Sequence, residues 1–412
     1  GDGGTTSAPY SSGQYNTAMG AQALKAFTTG GSNVAIGYQA ADALTTGGEA
    51  VAIGRSALGS ATTQGRNVAI GYFSAATLTG ASAQFNVFVG DYTGQGGSGN
   101  LKRSVAVGYQ VLQSTAGNDV DGAIGIGYQA LNDVTSGDHN IAVGWQAGDA
   151  ITTTAGTISI GTSALGGITT TGDYTIAIGY GAMGGAEIGD GNIAIGYQSM
   201  QNANAAGFHR NIAIGYQTMA NVGSNSAADN IAIGYQALND INGSALGNVA
   251  IGSYSGDAIT SGDYNVSIGE YALSSVNSGG SNIGIGRLSG ANNTTAGLNM
   301  YIGYAAGYSN QTGTGNTIVG NSSYGQSVVA GLNISNVTTL GHEAGYYATG
   351  SSNTFIGAEA GKGNSSAPYS SGGENTAFGY EALTGFTTGY QNVAVGYRAG
   401  QDLTTAYYST LL

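Results

Sequence analysis

Three glutamates share one position of a repeated pattern and are the residues best suited to do chemistry. Glu343, Glu359 and Glu381 each lie two residues after a recurring glycine, and Arg398 takes that position in the next copy. Carboxylates one strand spacing apart, about 4.8 Å, approach the separation of about 5 Å used by retaining glycosidases, and they could also bind a cation. Because nothing marks one glutamate as the proton donor, we favour an exposed acidic stripe that ends in an ion pair.

Other polar residues give weaker signals. Four aspartates in Gly-Asp turns lie six residues before a recurring glycine: Asp138, Asp173, Asp190 and Asp263. Calcium could bind there, but the nonapeptide calcium-roll motif is missing, so we interpret them as turn-forming residues. The three histidines share no metal spacing: His139, His209 and His342. The glycine-rich stretch 94–99 lacks the lysine and the helix of a phosphate loop. The sequence therefore predicts no enzyme and no cofactor, with calcium as an alternative.

Aromatic residues form a regular column directly after the recurring glycine. The column contains Tyr38, Tyr72, Tyr109, Tyr128, Tyr180, Tyr197, Tyr216, Tyr235, Tyr304, Tyr380 and Tyr397, with Trp145 in register. Such a column could bind a glycan, or its rings could stack on each other or across a subunit interface. Its regularity and length favour stacking.

These residues are positioned by one short repeat. Its core reads Asn-Val-Ala-Ile-Gly-Tyr-Gln-Ala over residues 33–40 and returns at 192–198, 211–217 and 230–236. The glycine closing each core, here called the corner glycine, recurs about every 17–19 residues in about 22 copies. Examples of predicted corners are Gly37, Gly54, Gly71, Gly144, Gly196, Gly215, Gly234, Gly252 and Gly396. A tight corner with positive φ explains why glycine is needed.

The alternation before each corner glycine predicts a short, half-buried strand. We expect its Ile and Val side chains, with the small residue between them, to form a dry core. A small residue three positions after the glycine predicts a second strand. Stacked copies would give an all-β solenoid over residues 1–412, since no copy buries its apolar face alone.

Stacking in register would also align identical polar side chains. Asn lies four residues before the corner glycine in 16 of 22 copies. The asparagines of this column include Asn33, Asn192, Asn211 and Asn230. We predict an amide ladder there, and two further ladders from the tyrosines, such as Tyr38, and the glutamines that follow them.

Composition excludes several function classes. The net charge is −13 with 9 Lys and Arg residues, which argues against nucleic acid as a partner. No apolar run approaches the roughly 18 residues of a membrane span, so we expect no membrane insertion. The 76 glycines show no Gly-X-Y period, which excludes collagen, and the chain has no cysteine.

A longer period overlies the short one. Residues 7–13 recur as residues 366–372, and both prolines of the chain lie in these segments. We therefore predict a super-repeat unit over residues 7–365, with the next unit starting at 366. The chain would then be a segment of a larger array, with protruding loops around 321–337 and 363–374.

The core Asn-x-Ala-Ile-Gly-Tyr-x-Ala resembles the head repeats of YadA-like trimeric adhesins, and resembles even more closely the repeats of phage tail-fibre-like proteins. That resemblance covers nearly the whole chain. It implies a left-handed β-roll, a parallel homotrimer and a role in attachment to a surface.

The expected function is that of a non-enzymatic structural fibre or adhesive shaft, extracellular, on a cell surface or on a virion. Its partners would be copies of itself, in a homotrimer or a lateral bundle, and a cell-surface receptor or glycan. A self-assembling filament or sheath is an alternative that the longer period favours. Ice binding, suggested by Thr45-Thr46 and Thr169–Thr171, and a polysaccharide depolymerase are further alternatives.

Overall fold

The fold is a parallel β-solenoid of about 22 turns. A computed structural model describes residues 12–115, 117–167, 172–185, 189–202, 207–223, 226–325, 332–366 and 369–412, and these ranges contain strands and turns but no helix. The chain divides into an N-terminal unit, Gly1–His209, and a C-terminal unit, Arg210–Leu412. The predicted all-β solenoid class is confirmed.

Most coils of the N-terminal unit contribute one strand of three residues. Its strands are β1 Thr17–Met19, β2 Val34–Ile36, β3 Val51–Ile53, β4 Val68–Ile70, β5 Val87–Val89, β6 Leu101–Lys102, β7 Val105–Tyr109, β8 Val120–Asp121, β9 Ile124–Tyr128, β10 Ile141–Val143, β11 Ile158–Ile160, β12 Ile176–Ile178 and β13 Ile193–Ile195. Strands β6 and β8 pair with each other in a small second sheet.

The C-terminal unit repeats the same strand once per coil. Its strands are β14 Ile212–Ile214, β15 Ile231–Ile233, β16 Val249–Ile251, β17 Val266–Ile268, β18 Ile283–Ile285, β19 Met300–Ile302, β20 Thr317–Val319, β21 Thr338–Leu340, β22 Thr354–Ile356, β23 Thr376–Phe378, β24 Val393–Val395 and β25 Thr410–Leu411.

Strands of successive coils pair in parallel, with equivalent residues opposite each other. Val34 lies opposite Val51, and Ala35 lies opposite Ala52. The same register joins Val249 to Val266 in the C-terminal unit. Like side chains therefore form columns, because each coil advances by one strand spacing of about 4.8 Å.

The orientation of the strand side chains differs from the prediction. Ala35, in the middle of its strand, is fully buried, whereas Val34 and Ile36 on either side are only half-buried. Asn33 is buried as well. Residues two and four positions before the corner glycine thus point inward, and the Ile and Val columns point outward. The expected Ile/Val core was wrong because period two fixes which residues share a face, not which face is inside.

The predicted second strand is also absent from the described coils. Gln39 and Ala41 have φ of 57° and 48°, so this side is a chain of turns. It still bonds to both neighbours: the Gln39 amide donates to the Ala21 carbonyl at 3.0 Å and the Ala41 amide donates to the Ala57 carbonyl at 2.9 Å. Ala40 between them is fully buried, where only a small side chain fits.

Leucine supplies the bulk of the interior. Leu24 and Leu58 lie four residues after a corner glycine, Leu44 and Leu78 lie seven after one, and all four are fully buried. These columns were missed by the sequence analysis.

Where the strand of a coil has a large inward side chain, the opposite side of the same coil has a small one, so that the filled volume stays similar. Phe88 replaces the small residue of its strand, and Gly94 replaces the leucine opposite, where a Cβ would overlap the Phe88 ring. Tyr301 and Gly307 make the same exchange in the C-terminal unit.

The corner glycines have a conformation that side chains rarely adopt. At Gly37 φ is +132°, and a Cβ would lie 2.6 Å from the carbonyl oxygen of Gly54 in the next coil. The same region, with φ from +124° to +143°, holds Gly54, Gly71, Gly144, Gly196, Gly215, Gly234, Gly252 and Gly396. Close stacking of backbones therefore requires glycine here.

Some predicted features lie outside the described residues. These are residues 7–11 and 367–368 of the repeated segments, residues 326–331 of the first insertion and Thr169–Thr171.

Candidate functional site

The asparagine column lies inside the solenoid and is saturated with hydrogen bonds. Asn33 Nδ2 donates to the carbonyl of Gly47 at 3.1 Å, and its Oδ1 accepts from the amide of Ala50 at 3.0 Å. Asn192 is also fully buried, and its Nδ2 donates to the Gly189 carbonyl at 2.7 Å. These side chains are occupied by the backbone, so they stabilise the fold instead of binding a ligand.

In the C-terminal unit the column becomes a continuous ladder. Asn230 Nδ2 donates to Asn211 Oδ1 at 3.0 Å, and the next step, Asn248 to Asn230, is 3.1 Å. Four more donations carry the ladder to Asn316, which donates to Asn299 at 2.9 Å. Each amide also orders backbone groups of the following coil.

The tyrosine column lies on the surface and stacks on itself. The Tyr180 and Tyr197 rings are 5.3 Å apart with 9° between their planes, and the Tyr216 and Tyr235 rings are 5.2 Å apart with 6° between planes. Tyr38 keeps 47% of its surface exposed. The rings stabilise each other by stacking, yet part of each remains accessible.

Glutamines run beside the tyrosines and pair in the same way. Gln129 Nε2 donates to Gln110 Oε1 at 3.0 Å, and Gln236 donates to Gln217 at 3.0 Å. The corner therefore carries two parallel surface columns, one aromatic and one of amides.

The outward face of the strands is aliphatic and lacks a covering layer among the described residues. Half-exposed residues on it include Ile126, Ile160, Ile233, Ile251, Val393 and Val395. A parallel sheet normally has both faces covered, and an extended apolar patch marks an interaction surface. We call this surface the aliphatic face.

The acidic stripe is an ion-paired network. Lys362 Nζ lies 2.7 Å from Glu343 Oε2 and 2.9 Å from Glu359 Oε2. Partial burial would lower the pKa of Lys362, but its hydrogen bonds to both glutamates outweigh this and raise it. Arg398 pairs with Glu381 and its hydrogen bond lowers the pKa of that carboxyl.

The lowered pKa of Glu381 favours structural pairing over acid catalysis at that residue, since a proton-donating carboxyl needs a raised pKa. Lys362 was not among the residues predicted from the sequence. Its position three residues after Glu359 was the available signal.

The turn aspartates hold neighbouring coils together. Asp138 Oδ1 accepts from the Asp121 amide at 2.8 Å, and Asp173 Oδ1 accepts from the Ala155 amide at 2.9 Å. Asp263 does the same for Leu246 at 2.8 Å. In the part of the chain that the structure describes, no group of three His, Cys, Asp or Glu side chains could hold a metal ion.

The first threonine of such a pair is likewise engaged within the fold. Thr28 and Thr45 lie in turns, and their hydroxyls donate to the carbonyls of Thr45 and Thr62 in the next coil. An ice-binding face needs hydroxyls free for water, so this arrangement does not favour that alternative.

No protein-family model and no curated protein matches the chain. Among the described residues, no helix is long and apolar enough to cross a membrane.

Proposed function

We propose that the chain is a non-enzymatic structural fibre protein, a left-handed β-roll that associates as a parallel homotrimer and acts as an attachment shaft. The observation that carries the proposal is the aliphatic face. A column of outward Ile and Val side chains repeats on strand after strand, and half-exposed residues such as Ile233 and Ile251 remain open to solvent.

Other copies of the same chain fit this face best. A partner must present an equally long, regular apolar surface, and a copy in parallel register does so at every coil. Covering one half-exposed Ile contributes about 1 kcal/mol at about 25 cal/mol per Å², and the contribution recurs along the solenoid. Three copies arranged around one axis would form a closed assembly, to which no further copy could be added in the same way.

The interior supports a mechanical role. The buried asparagine ladder and the in-register strands tie each coil to its neighbours, and the paired acidic network leaves the stripe without an evident catalytic carboxyl. We place the protein outside the cell, on a cell surface or on a virion, where the resemblance to adhesin and tail-fibre repeats points.

Sedimentation equilibrium tests the proposal. We expect a trimer mass for the wild type and a monomer mass for a double variant, Ile233→Lys with Ile251→Lys, because two charges per chain would be buried in the interface. The matched control, Ser244→Lys with Ser261→Lys, adds the same charge at exposed turn positions of the same coils and should stay trimeric. A monomeric wild type would overturn the trimer.

A self-assembling extracellular filament or sheath is a second candidate, favoured by the recurrence of residues 7–13 as 366–372. Electron microscopy of the natural assembly separates the two, since continuous helical polymers support a filament and fibres fixed to a capsid or cell support the shaft.

A further inference from the structure

An open groove of about 790 Å³ crosses three coils of the N-terminal unit. Phe73 and Tyr92 form its aromatic wall, and its polar lining consists of Thr77, Gln95, Ser98, Gln113 and Ser114. We call it the Phe73 groove. Its volume falls in the range of small-ligand sites.

The groove exists because one coil lacks its large side chains. Gly94 and Gly97 take the positions, four and seven residues after the corner glycine, that hold Leu58 and Leu78 in other coils. Phe88 fills the interior next to Gly94 and Leu101 fills it next to Gly96, whereas a Cβ at Gly97 would meet no side chain. The glycine-rich stretch 94–99 thus opens a depression in an otherwise regular surface.

The aromatic wall interrupts the glutamine column. Phe73 and Tyr92 stand where Gln39 and Gln110 stand in nearby coils. Their rings are 5.8 Å apart with 13° between planes, and Tyr72 meets the Phe73 ring edge-on at 4.6 Å. In the coil of Tyr72 and Phe73 both surface columns are therefore aromatic, whereas Asp91 precedes Tyr92 in the next coil, and the three clustered rings form a platform beside the groove.

Several polar groups of the groove remain available to a ligand. Thr77 Oγ1 donates to Gln95 Oε1 at 3.0 Å, so these two side chains hold each other. The side chains of Gln113, Ser98 and Ser114 make no hydrogen bond to any described residue. An aromatic platform next to free amide and hydroxyl groups matches the two sides of a sugar ring, whose C–H face is apolar and whose rim carries hydroxyls.

A cation lies at the edge of the platform. The Arg55 guanidinium lies 5.7 Å from the Tyr72 ring centre and 5.9 Å from that of Phe73. It has no acidic partner among the described residues, whereas five other arginines do: Arg66, Arg103, Arg210, Arg287 and Arg398. Arg55 is thus a guanidinium free to pair with a carboxylate of a ligand.

We propose that the Phe73 groove binds an oligosaccharide that carries one carboxylated sugar. One sugar ring stacks on Phe73 and Tyr92, its neighbours bond to Gln113 and the two serines, and the carboxylate pairs with Arg55. The net charge of −13 disfavours densely charged polyanions, so a single carboxylate fits better. This goes beyond the fibre proposal, because one chain contains the whole groove and no trimer is needed.

Titration calorimetry and ligand-detected NMR with sialyllactose and lactose test the proposal, since the two probes differ by one acidic sugar. We expect millimolar or tighter binding of sialyllactose, and binding of lactose weakened about 5-fold or more by loss of one charge-assisted contact. Tyr92→Ala should abolish binding of both sugars. Arg55→Gln should reduce sialyllactose affinity to that of lactose.

Arg287→Gln is the matched control, because Arg287 also lies over a tyrosine, 5.8 Å from the Tyr304 ring, but is paired with Glu270. It should leave both affinities unchanged. Circular dichroism of each variant checks that the fold is intact. Equal affinity for both sugars, binding unchanged in a folded Tyr92→Ala variant, or no binding at millimolar sugar would each overturn the proposal, whatever the oligomeric state.

Discussion

The asparagine column is almost complete in the C-terminal unit and interrupted in the N-terminal unit. In the C-terminal unit one coil lacks the asparagine and has Val337 in its place. In the N-terminal unit five coils have another residue there: Ala50, Ser104, Ala123, Thr157 and Thr175. The Thr157 hydroxyl is buried without a hydrogen-bond partner among the described residues. Two units of the same fold thus differ in how continuous their buried asparagine column is.

The difference in the asparagine column implies that the strands alone do not determine the stability of a coil. Both units have the same parallel pairing and the same inward alanines. What differs is the buried amide that links the turn of one coil to the backbone of the next. Since a repeat fold is stabilised coil by coil, we expect slower hydrogen exchange in the C-terminal unit.

The largest expected effect comes from breaking the complete ladder. Asn265 Nδ2 donates to Asn248 Oδ1 at 3.1 Å and to the Gly279 carbonyl at 2.9 Å, and Asn282 donates to its Oδ1 at 3.0 Å. Asn265→Ala leaves these buried groups unpaired and should lower the free energy of unfolding by about 3 kcal/mol. Urea denaturation with local hydrogen exchange measures this.

The equivalent variant in the interrupted column is the matched comparison. The Asn140 side chain donates to the Thr154 carbonyl at 2.7 Å and accepts from the Thr157 amide at 2.9 Å. Asn140→Ala should therefore lower the free energy of unfolding by about 1–2 kcal/mol. Equal losses at the two sites would break the comparison.

Repairing the interrupted column should have the opposite sign. In Thr157→Asn the new amide would reach Asn140 Oδ1, as Asn248 reaches Asn230, and the unpaired hydroxyl would be removed. We expect about 1 kcal/mol of added stability, seen as slower exchange in the coils around β10 and β11. A loss of stability there would mean that the coil does not accept the larger side chain.

Asp257 is a weak point of the C-terminal unit outside the column. Burial, with a smaller contribution from the charge of Asp240, raises its pKa to about 6. The folded state therefore holds its proton more tightly, and stability falls as the pH rises from about 4 to about 6.

The neutral variant Asp257→Asn should match the wild type below pH 4 and be more stable above pH 6. Because the carboxyl keeps part of its hydration, we expect a gap of only about 1 kcal/mol. Thermal unfolding across this pH range measures it. Parallel curves for the two proteins would show that Asp257 does not titrate in this way.

The smallest effect should come from the surface. Arg287 and Glu270 form an exposed ion pair at 2.8 Å, so Arg287→Gln should lower the free energy of unfolding only slightly. The loss should vanish at high salt, since exposed charges are screened. A large loss of unfolding free energy in urea denaturation would show that surface ion pairs, and not only the buried column, contribute to the difference between the units.

Much of the fold follows from the sequence, because strict repetition makes register predictable. The alternation at residues 33–40 located the strand, and the glycine spacing located the corners. The alternation could not show that Ala35 points inward, because it defines two faces of the strand without indicating which of them is buried. The deciding fact was volume: leucines such as Leu58 enter from the opposite side and leave room for little more than a methyl group.

The surface sites were harder to predict than the core. The ion pair of Lys362 with Glu343 depends on turn geometry that has no repeat signature. The Phe73 groove depends on the side chains that the glycines between residues 94 and 99 lack. The absence of a side chain produces no sequence pattern from which a groove could be predicted. The columns were visible in the sequence, and the departures from them became interpretable only in three dimensions.

The columns, the ladder and the aliphatic face all require that equivalent residues of successive coils lie side by side. The chain has no cysteine, so spin labels can be placed freely at Ser253, Glu270 and Arg287, one per coil after successive corner glycines. Electron paramagnetic resonance should show strong dipolar broadening for the pair at 253 and 270, about one strand spacing of 4.8 Å apart at the backbone. The pair at 253 and 287 should broaden less, at about twice that spacing. Spectra equal to the sum of the single labels for both pairs would contradict the stacked solenoid.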